Sequence, residues 1–119
     1  MGYDTSFKGE LKFSESLTER QLQHIQLYLG KDCRDYPEWK TKDLTNIDLK
    51  LSKDNKGIEW NGSQKTSNLD KKIKFIIDEM RKVIPNFIIK GNLLAQGENI
   101  EDRYLICVDE FDVYVENLK

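Results

Sequence analysis

The sequence predicts an α+β fold: a largely antiparallel sheet of five to six strands with two helices on one face, in the order β-α-β-β-α-β-β(-β). This is related to the split βαβ, ferredoxin-like arrangement. Three observations carry the prediction. Two stretches place apolar residues at helical spacing with recognisable starts and stops, a hairpin pattern lies between them, and strand-like alternation occurs before the first helix and after the second. No repeat, low-complexity tract or long linker divides the chain, so residues 1–119 are read as a single domain.

The first strand is SFKGELKF, with Phe7, Gly9, Leu11 and Phe13 in step on one side. Ahead of it, Asp4, Thr5 and Ser6 supply a turn, and Tyr3 and Phe7 are placed to cover the sheet edge. The first helix lies in LTERQLQHIQLYLG. Thr18 caps it, Gln21 completes a capping box, and Leu17 and Leu22 form a hydrophobic staple. Leu22, Ile25 and Leu29 share a face, and Gly30 suits the left-handed position after the last turn.

Between the helices, Ile47, Leu49 and Leu51 alternate, the chain turns at Asp54-Asn55-Lys56-Gly57, and Ile58 and Trp60 resume the pattern as a hairpin. The second helix runs through SNLDKKIKFIIDEMRKVIP. Ser67 is its expected cap, Asp70 sits at the capping-box position, the stripe is Leu69, Ile73, Ile76, Ile77, Met80 and Ile84, and Pro85 marks the stop. NFIIKGNLLAQG and RYLICVDEFDVYVENL then read as strands, separated by the turn ENIED and folded back near Asp109 and Glu110 into a meander.

Composition narrows the function classes. Nineteen basic against 21 acidic residues leave a net charge of −2, which gives no electrostatic footprint for nucleic acid and no attraction to an anionic membrane surface. Every apolar run is broken by charge or glycine before it reaches membrane-spanning length. The start lacks a charged n-region with an apolar h-region, so no secretory signal is expected and the cytoplasm is the expected compartment. Cys33 and Cys107 then read as reduced thiols, Cys107 as a small core residue, with a single bridge between them left open. Met1-Gly2-x-x-x-Ser6 matches the N-myristoylation pattern. One acyl chain without a following basic patch anchors only marginally, so Gly2 is read as structural.

Chemistry-bearing residues are sparse. The one histidine, His24, falls inside the first helix and reads as a surface or boundary residue. No zinc-ligand spacing occurs, and SKDNKGIEW departs from a calcium loop at Lys56, so no catalytic residue, metal ligand or cofactor is assigned. Asn61-Gly62-Ser63 fits a glycosylation acceptor that a chain without a signal peptide never presents to that machinery. The same loop ends at the start of the second helix, where Ser63, Thr66 and Ser67, beside Lys65, are a candidate anion site. Glu98, Glu101 and Asp102 in the late turn are candidate acid–base or cation-binding groups with Arg103 as a local partner; wet turn residues are the plainer account. Tyr36 and Trp39 sit in the longest irregular segment, residues 31–43, where no periodicity explains them. They are candidate partner anchors together with Trp60, Asn61 and Lys65, the alternative being that Trp39 lids one end of the core. As an anchor, Trp39→Ala would weaken binding and leave the thermal midpoint nearly unchanged.

Three blocks, MGYDTSFKGELKF, GIEWNGSQKTSNLDKKIKFIIDEM and GNLLAQGENIEDRYLICVDE, resemble a family of small proteins of phages and their bacterial hosts. Its pattern is a Met-Gly-Tyr-Asp start leading into a first strand, a Glu-Trp-(Asn/Asp)-Gly block before the second helix, and a late Gly-Glu-x-x-Asp turn. The resemblance covers the length apart from residues 31–43, and QKTSNL departs from the more aromatic segment of the family. It implies a mobile-element setting and one domain spanning the chain, and it supplies no catalytic residues. It also agrees with a structural Gly2, since myristoylation is a eukaryotic modification.

The expected function is therefore that of a non-enzymatic protein-binding protein or inhibitor of phage or mobile-element origin. It would dock on a host or phage protein in the bacterial cytoplasm, inhibition of a bacterial defence system being one form. The alternatives are a small-molecule or nucleotide-binding protein and a toxin immunity protein. Sequence leaves the oligomeric state open.

Overall fold

The computed structural model describes residues 4–41 and 43–118; the readings of Gly2 and Tyr3 lie outside them. In chain order the elements are β1 (Ser6–Lys8), β2 (Leu11–Phe13), α1 (Glu19–Gln26), two short 3-10 turns (Cys33–Asp35 and Pro37–Trp39), β3 (Leu49–Leu51), β4 (Gly57–Trp60), α2 (Leu69–Arg81), β5 (Ile89–Gln96), β6 (Arg103–Val108) and β7 (Val113–Leu118). The sheet order is β3-β4-β2-β5-β6-β7, with β1 also on β5 and every neighbour antiparallel. The β3-β4-β2-β5 part is the predicted split βαβ order, and the β6–β7 hairpin extends it on the β5 side.

The first strand is divided because its backbone crowds β5. β1 and β2 keep one register, Phe7 opposite Ala95 and Leu11 opposite Gly91, yet Gly9 and Glu10 between them leave the ladder. Gly9 (φ +121°) and Gly91 (φ +149°) take conformations that L side chains rarely adopt, and each faces a carbonyl of the opposing strand. Counting β1 and β2 apart gives one strand more than the upper expected number.

The sheet face bearing Phe7, Leu11, Phe13, Ile58, Leu93 and Ile106 meets Ile73, Ile76 and Met80 of α2 and Ile25 of α1 in a single core. Each such side chain, fully buried, stabilises the fold by about 1.5–3 kcal/mol. α1 starts as predicted: the Gln21 amide donates to Thr18 Oγ1 at 3.2 Å, and the Thr18 amide donates to Gln21 Oε1 at 2.9 Å. The regular helix stops at Gln26, and Gly30 lies in the left-handed region at φ +75°. For α2 the cap differs from expectation. Asn68, not Ser67, is the N-cap; it is left-handed and makes no side-chain capping bond. Its φ of +52° sets it apart from the extended backbone that lets a side chain reach back to the first free amides.

Both cysteines are free and buried, which removes the bridge left open by the sequence. Cys107 is not part of the main core. It alternates with Ile106 and Val108, so it lies on the helix-free face, opposite Tyr114 of β7. No helix among the described residues is long and apolar enough to cross a membrane.

The α2 side facing the 3-10 turns holds an unexpected charge. Lys72 is 1% exposed, and its Nζ donates to Thr45 Oγ1 at 3.4 Å. Burial pushes its pKa below the ordinary 10.5, opposed by the charges of Asp48, Cys33 and Asp32. Between the lowered value and 10.5 the unfolded chain binds this proton more than the folded chain does, so stability rises with pH across that interval. Relative to Lys72→Met, the native protein is expected to gain stability as pH climbs toward 10.5 and to show a flat difference below the lowered pKa. Urea unfolding of both proteins at stepped pH reads this directly; a flat difference throughout would mean that Lys72 keeps its ordinary pKa.

Candidate functional site

The candidate residues fall into two groups. The first gathers where β4 leads toward α2. Asn61 makes an Asx turn, its Oδ1 accepting from the Ser63 amide at 3.0 Å and the Ser63 hydroxyl at 2.7 Å. The Thr66 hydroxyl donates to the Ser63 carbonyl at 3.1 Å and accepts from Trp60 Nε1 at 2.9 Å. The Trp60 ring lies edge-on to Phe7, centroids 5.6 Å apart, which ties the loop to β1. Two distant segments join it. The Lys65 amide donates to Asp4 Oδ1 at 3.1 Å, and the Asp4 amide donates to Glu98 Oε1 at 2.9 Å. The start of the described chain, the loop before α2 and the β5–β6 turn, far apart in sequence, thus surround one cleft of about 350 Å³.

The cleft is poorly suited to the anion expected there. The Ser63 and Thr66 hydroxyls are committed within the loop, the Lys65 amide is taken by Asp4, and the carboxylates of Asp4 and Glu98 line or border the space. Ser67 is exposed ahead of α2, and none of these bonds involves it. Asp4 and Glu98 brace main-chain amides, so their geometry is that of loop clamps. In the same turn Glu101 and Asp102 are exposed. The described ion pairs are Arg34–Asp32, Lys74–Asp112 and Lys82–Glu79, so Arg103 does not form the expected local pair.

Tyr36 and Trp39 form the second group. Their rings stack at 4.2 Å with 8° between planes, and the Trp39 ring continues onto Tyr28 of the turn after α1 (5.2 Å) and Phe75 of α2 (5.3 Å). Trp39 is partly buried against the core, which is the lid arrangement. The consecutive 3-10 turns put both rings on one side: Pro37 opens the second turn, and Lys40 at φ +55° closes it. His24 is a boundary residue, edge-on to Tyr28 at 5.7 Å. Trp60, Asn61 and Lys65 thus assemble with Asp4 and Glu98, whereas Tyr36 and Trp39 belong to the α1–α2 side.

Sequence reasoning passed over several exposed apolar side chains along the terminal meander. Ile100 and Phe111 are each 84% exposed, Tyr114 is 49% exposed and Val115 is 44% exposed. All four belong to β7 or to the turns on either side of β6. A signal was present, since Phe111 stands in a turn between acidic residues, where an aromatic side chain has no local use. The fold defines an α+β domain with split βαβ strand order extended by the β6–β7 hairpin. No protein-family model, curated protein or solved structure matches the chain.

Proposed function

We propose that the chain is a non-enzymatic protein-binding protein of phage or mobile-element origin. It acts in the bacterial cytoplasm by docking on a host or phage protein, inhibition of a bacterial defence system being one form of that docking. The observation that carries the docking reading is β7 as an edge strand of the sheet, with Val115 exposed on one of its faces, Tyr114 on the other and Phe111 in the turn before it. The hydroxyls of Ser63 and Thr66 and the carboxylates of Asp4 and Glu98 serve the fold rather than a reaction. Affinity capture of the tagged protein from bacterial lysate, read by mass spectrometry, is expected to return one stoichiometric partner. Phe111→Ser, at an exposed turn position, should reduce its recovery several-fold without lowering the thermal midpoint.

A second reading rests on the cleft beside Trp60. It is concave, and its size falls within the range of small-ligand sites. A blank capture together with a rise in thermal midpoint on adding an uncharged or cationic small ligand would give that reading the lead, whereas the carboxylates of Asp4 and Glu98 speak against a nucleotide.

A further inference from the structure

The two edges of the sheet are built differently. β3 is three residues long and carries Lys50, and the chain running into it is covered: the Gly30 amide donates to the Ile47 carbonyl at 2.8 Å and the Ile47 amide to the Lys31 carbonyl at 2.7 Å. Short length, lysine and cover are the devices that stop an edge from recruiting another strand. Among the described residues β7 has neither the short length, the lysine nor the cover, and its one charge is Glu116. Its six residues, Val113–Leu118, pair with β6 in unbroken register and include neither lysine nor proline.

The ladder shows which main-chain groups of β7 are open. The Asp109 amide donates to the Asp112 carbonyl at 3.1 Å, so those residues form a hydrogen-bonded pair. Alternation then turns the amides and carbonyls of Tyr114, Glu116 and Leu118 toward β6 and those of Val113, Val115 and Asn117 outward. The Val113 amide is already held by Asp112 Oδ1 at 2.8 Å. The outward amides of Val115 and Asn117 are therefore set at strand spacing, where another extended backbone can take the place of water.

Flanking side chains specify that backbone's sequence. On the helix side the edge presents Val113 and Val115, with Ile77 of α2 beside Val113. On the open side it presents Tyr114, Glu116 and Leu118, and exposed Glu110 and Asp112 lie at one end. Of the nearby cations, Lys74 lies 3.7 Å from Asp112 and Arg81 donates to the Phe87 and Glu110 carbonyls; Arg103, opposite Leu118 on β6, is exposed on the same face as Glu116 and forms none of the described ion pairs. A second copy supplies no cation for Glu116: twofold pairing centred on Tyr114 sets Asp112 opposite the other copy's Glu116, pairing centred on Glu116 sets those two carboxylates together, and the Val115- and Asn117-centred registers leave Glu116 opposite Tyr114 or Leu118.

The geometry points to β7 as a strand-addition site for an extended segment of another protein, with apolar residues facing the helix side and lysine or arginine facing Glu116. This deepens the docking reading and rests on it. The test uses the full chain, ¹⁵N-labelled, with a synthetic peptide alternating lysine and valine as probe and a glutamate–valine peptide as comparison. The lysine peptide is expected to slow hydrogen exchange at the Val115 and Asn117 amides by about tenfold or more, and the glutamate peptide to bind roughly tenfold more weakly. Val115→Pro should abolish binding, because it removes an outward amide at an edge position that tolerates proline. Glu116→Lys, at an exposed site, should reverse the preference between the two peptides and does not depend on the proline variant folding. Unchanged exchange at both amides with either peptide overturns the assignment. So does protection without peptide accompanied by a dimeric mass in sedimentation, which would place a second copy on the edge. A lysate partner retained by both variants would refute the edge while leaving the docking reading in place; a blank capture with intact peptide protection would do the reverse.

Discussion

Gly91→Ala is expected to destabilise the protein by about 2–5 kcal/mol, the sum of a backbone penalty and an overpacking penalty. Gly91 lies in β5 at φ +149°, where an L residue is strained whatever the space. The space is also missing: an added Cβ would stand 2.5 Å from the Glu10 carbonyl oxygen and 3.3 Å from Leu11 Cα. Neither neighbour is the free end of a side chain, so relief requires β2 to move away from β5. That movement would open the pairing on which β4 and β3 in turn depend. Against a total stability of about 5–15 kcal/mol, the loss is severe. Gly62→Ala is the internal control. Gly62 has φ +85° with nothing within 4 Å of an added Cβ, so only the conformational penalty of about 1 kcal/mol applies. Denaturant midpoints of the two variants measure the difference, and equal midpoints would show that the close approach of β2 and β5 is not tight.

Trp39→Ala is expected to cost about 2–4 kcal/mol, a fall in thermal midpoint of roughly 10 °C. Its ring is in contact with Tyr36, Tyr28 and Phe75, and each aromatic pair adds about 0.5–1.5 kcal/mol beyond burial. This is the outcome of the lid alternative, in contrast to the unchanged midpoint expected of Trp39 as an anchor. Trp39→Phe keeps the stacking surface and should recover much of the loss. Tyr36→Ala removes only the outer ring of the stack and should cost less than Trp39→Ala. A thermal scan of the three variants decides the matter, and an unmoved midpoint for Trp39→Ala would return Trp39 to the candidate anchors.

Much of the fold is legible along the chain because its determinants are local. Thr18 and Gln21 lie one helical turn apart, and their reciprocal bonds form as the spacing requires. The Asp54-Asn55-Lys56-Gly57 turn closes as read, with the Asn55 amide donating to the Ser52 carbonyl at 3.0 Å and Asp54 Oδ1 accepting from the Lys56 amide at 3.0 Å. The α2 cap is different. Ser67 and Asn68 are both good caps in isolation, and the choice falls in a loop held by Asp4 and Trp60, partners from other parts of the chain. Candidate site residues divide the same way. Residue type marks Trp60, Asn61 and Lys65 as unusual, but nothing near them in sequence announces Asp4 and Glu98 as their neighbours.

The sequence by itself determined the class of architecture, the helix stripes, the hairpin turns and the alternation of the meander, because these depend on periodicities of 3.6 and 2 and on turn chemistry within a few residues. Only the tertiary structure decided that Lys72 would be buried, that Trp39 would close the core, that Cys107 would lie under Tyr114 on the far face, and that β7 would be the open edge. The reason is physical. Burial and edge position are properties of which segments become neighbours, and those contacts join residues that no local interaction brings together.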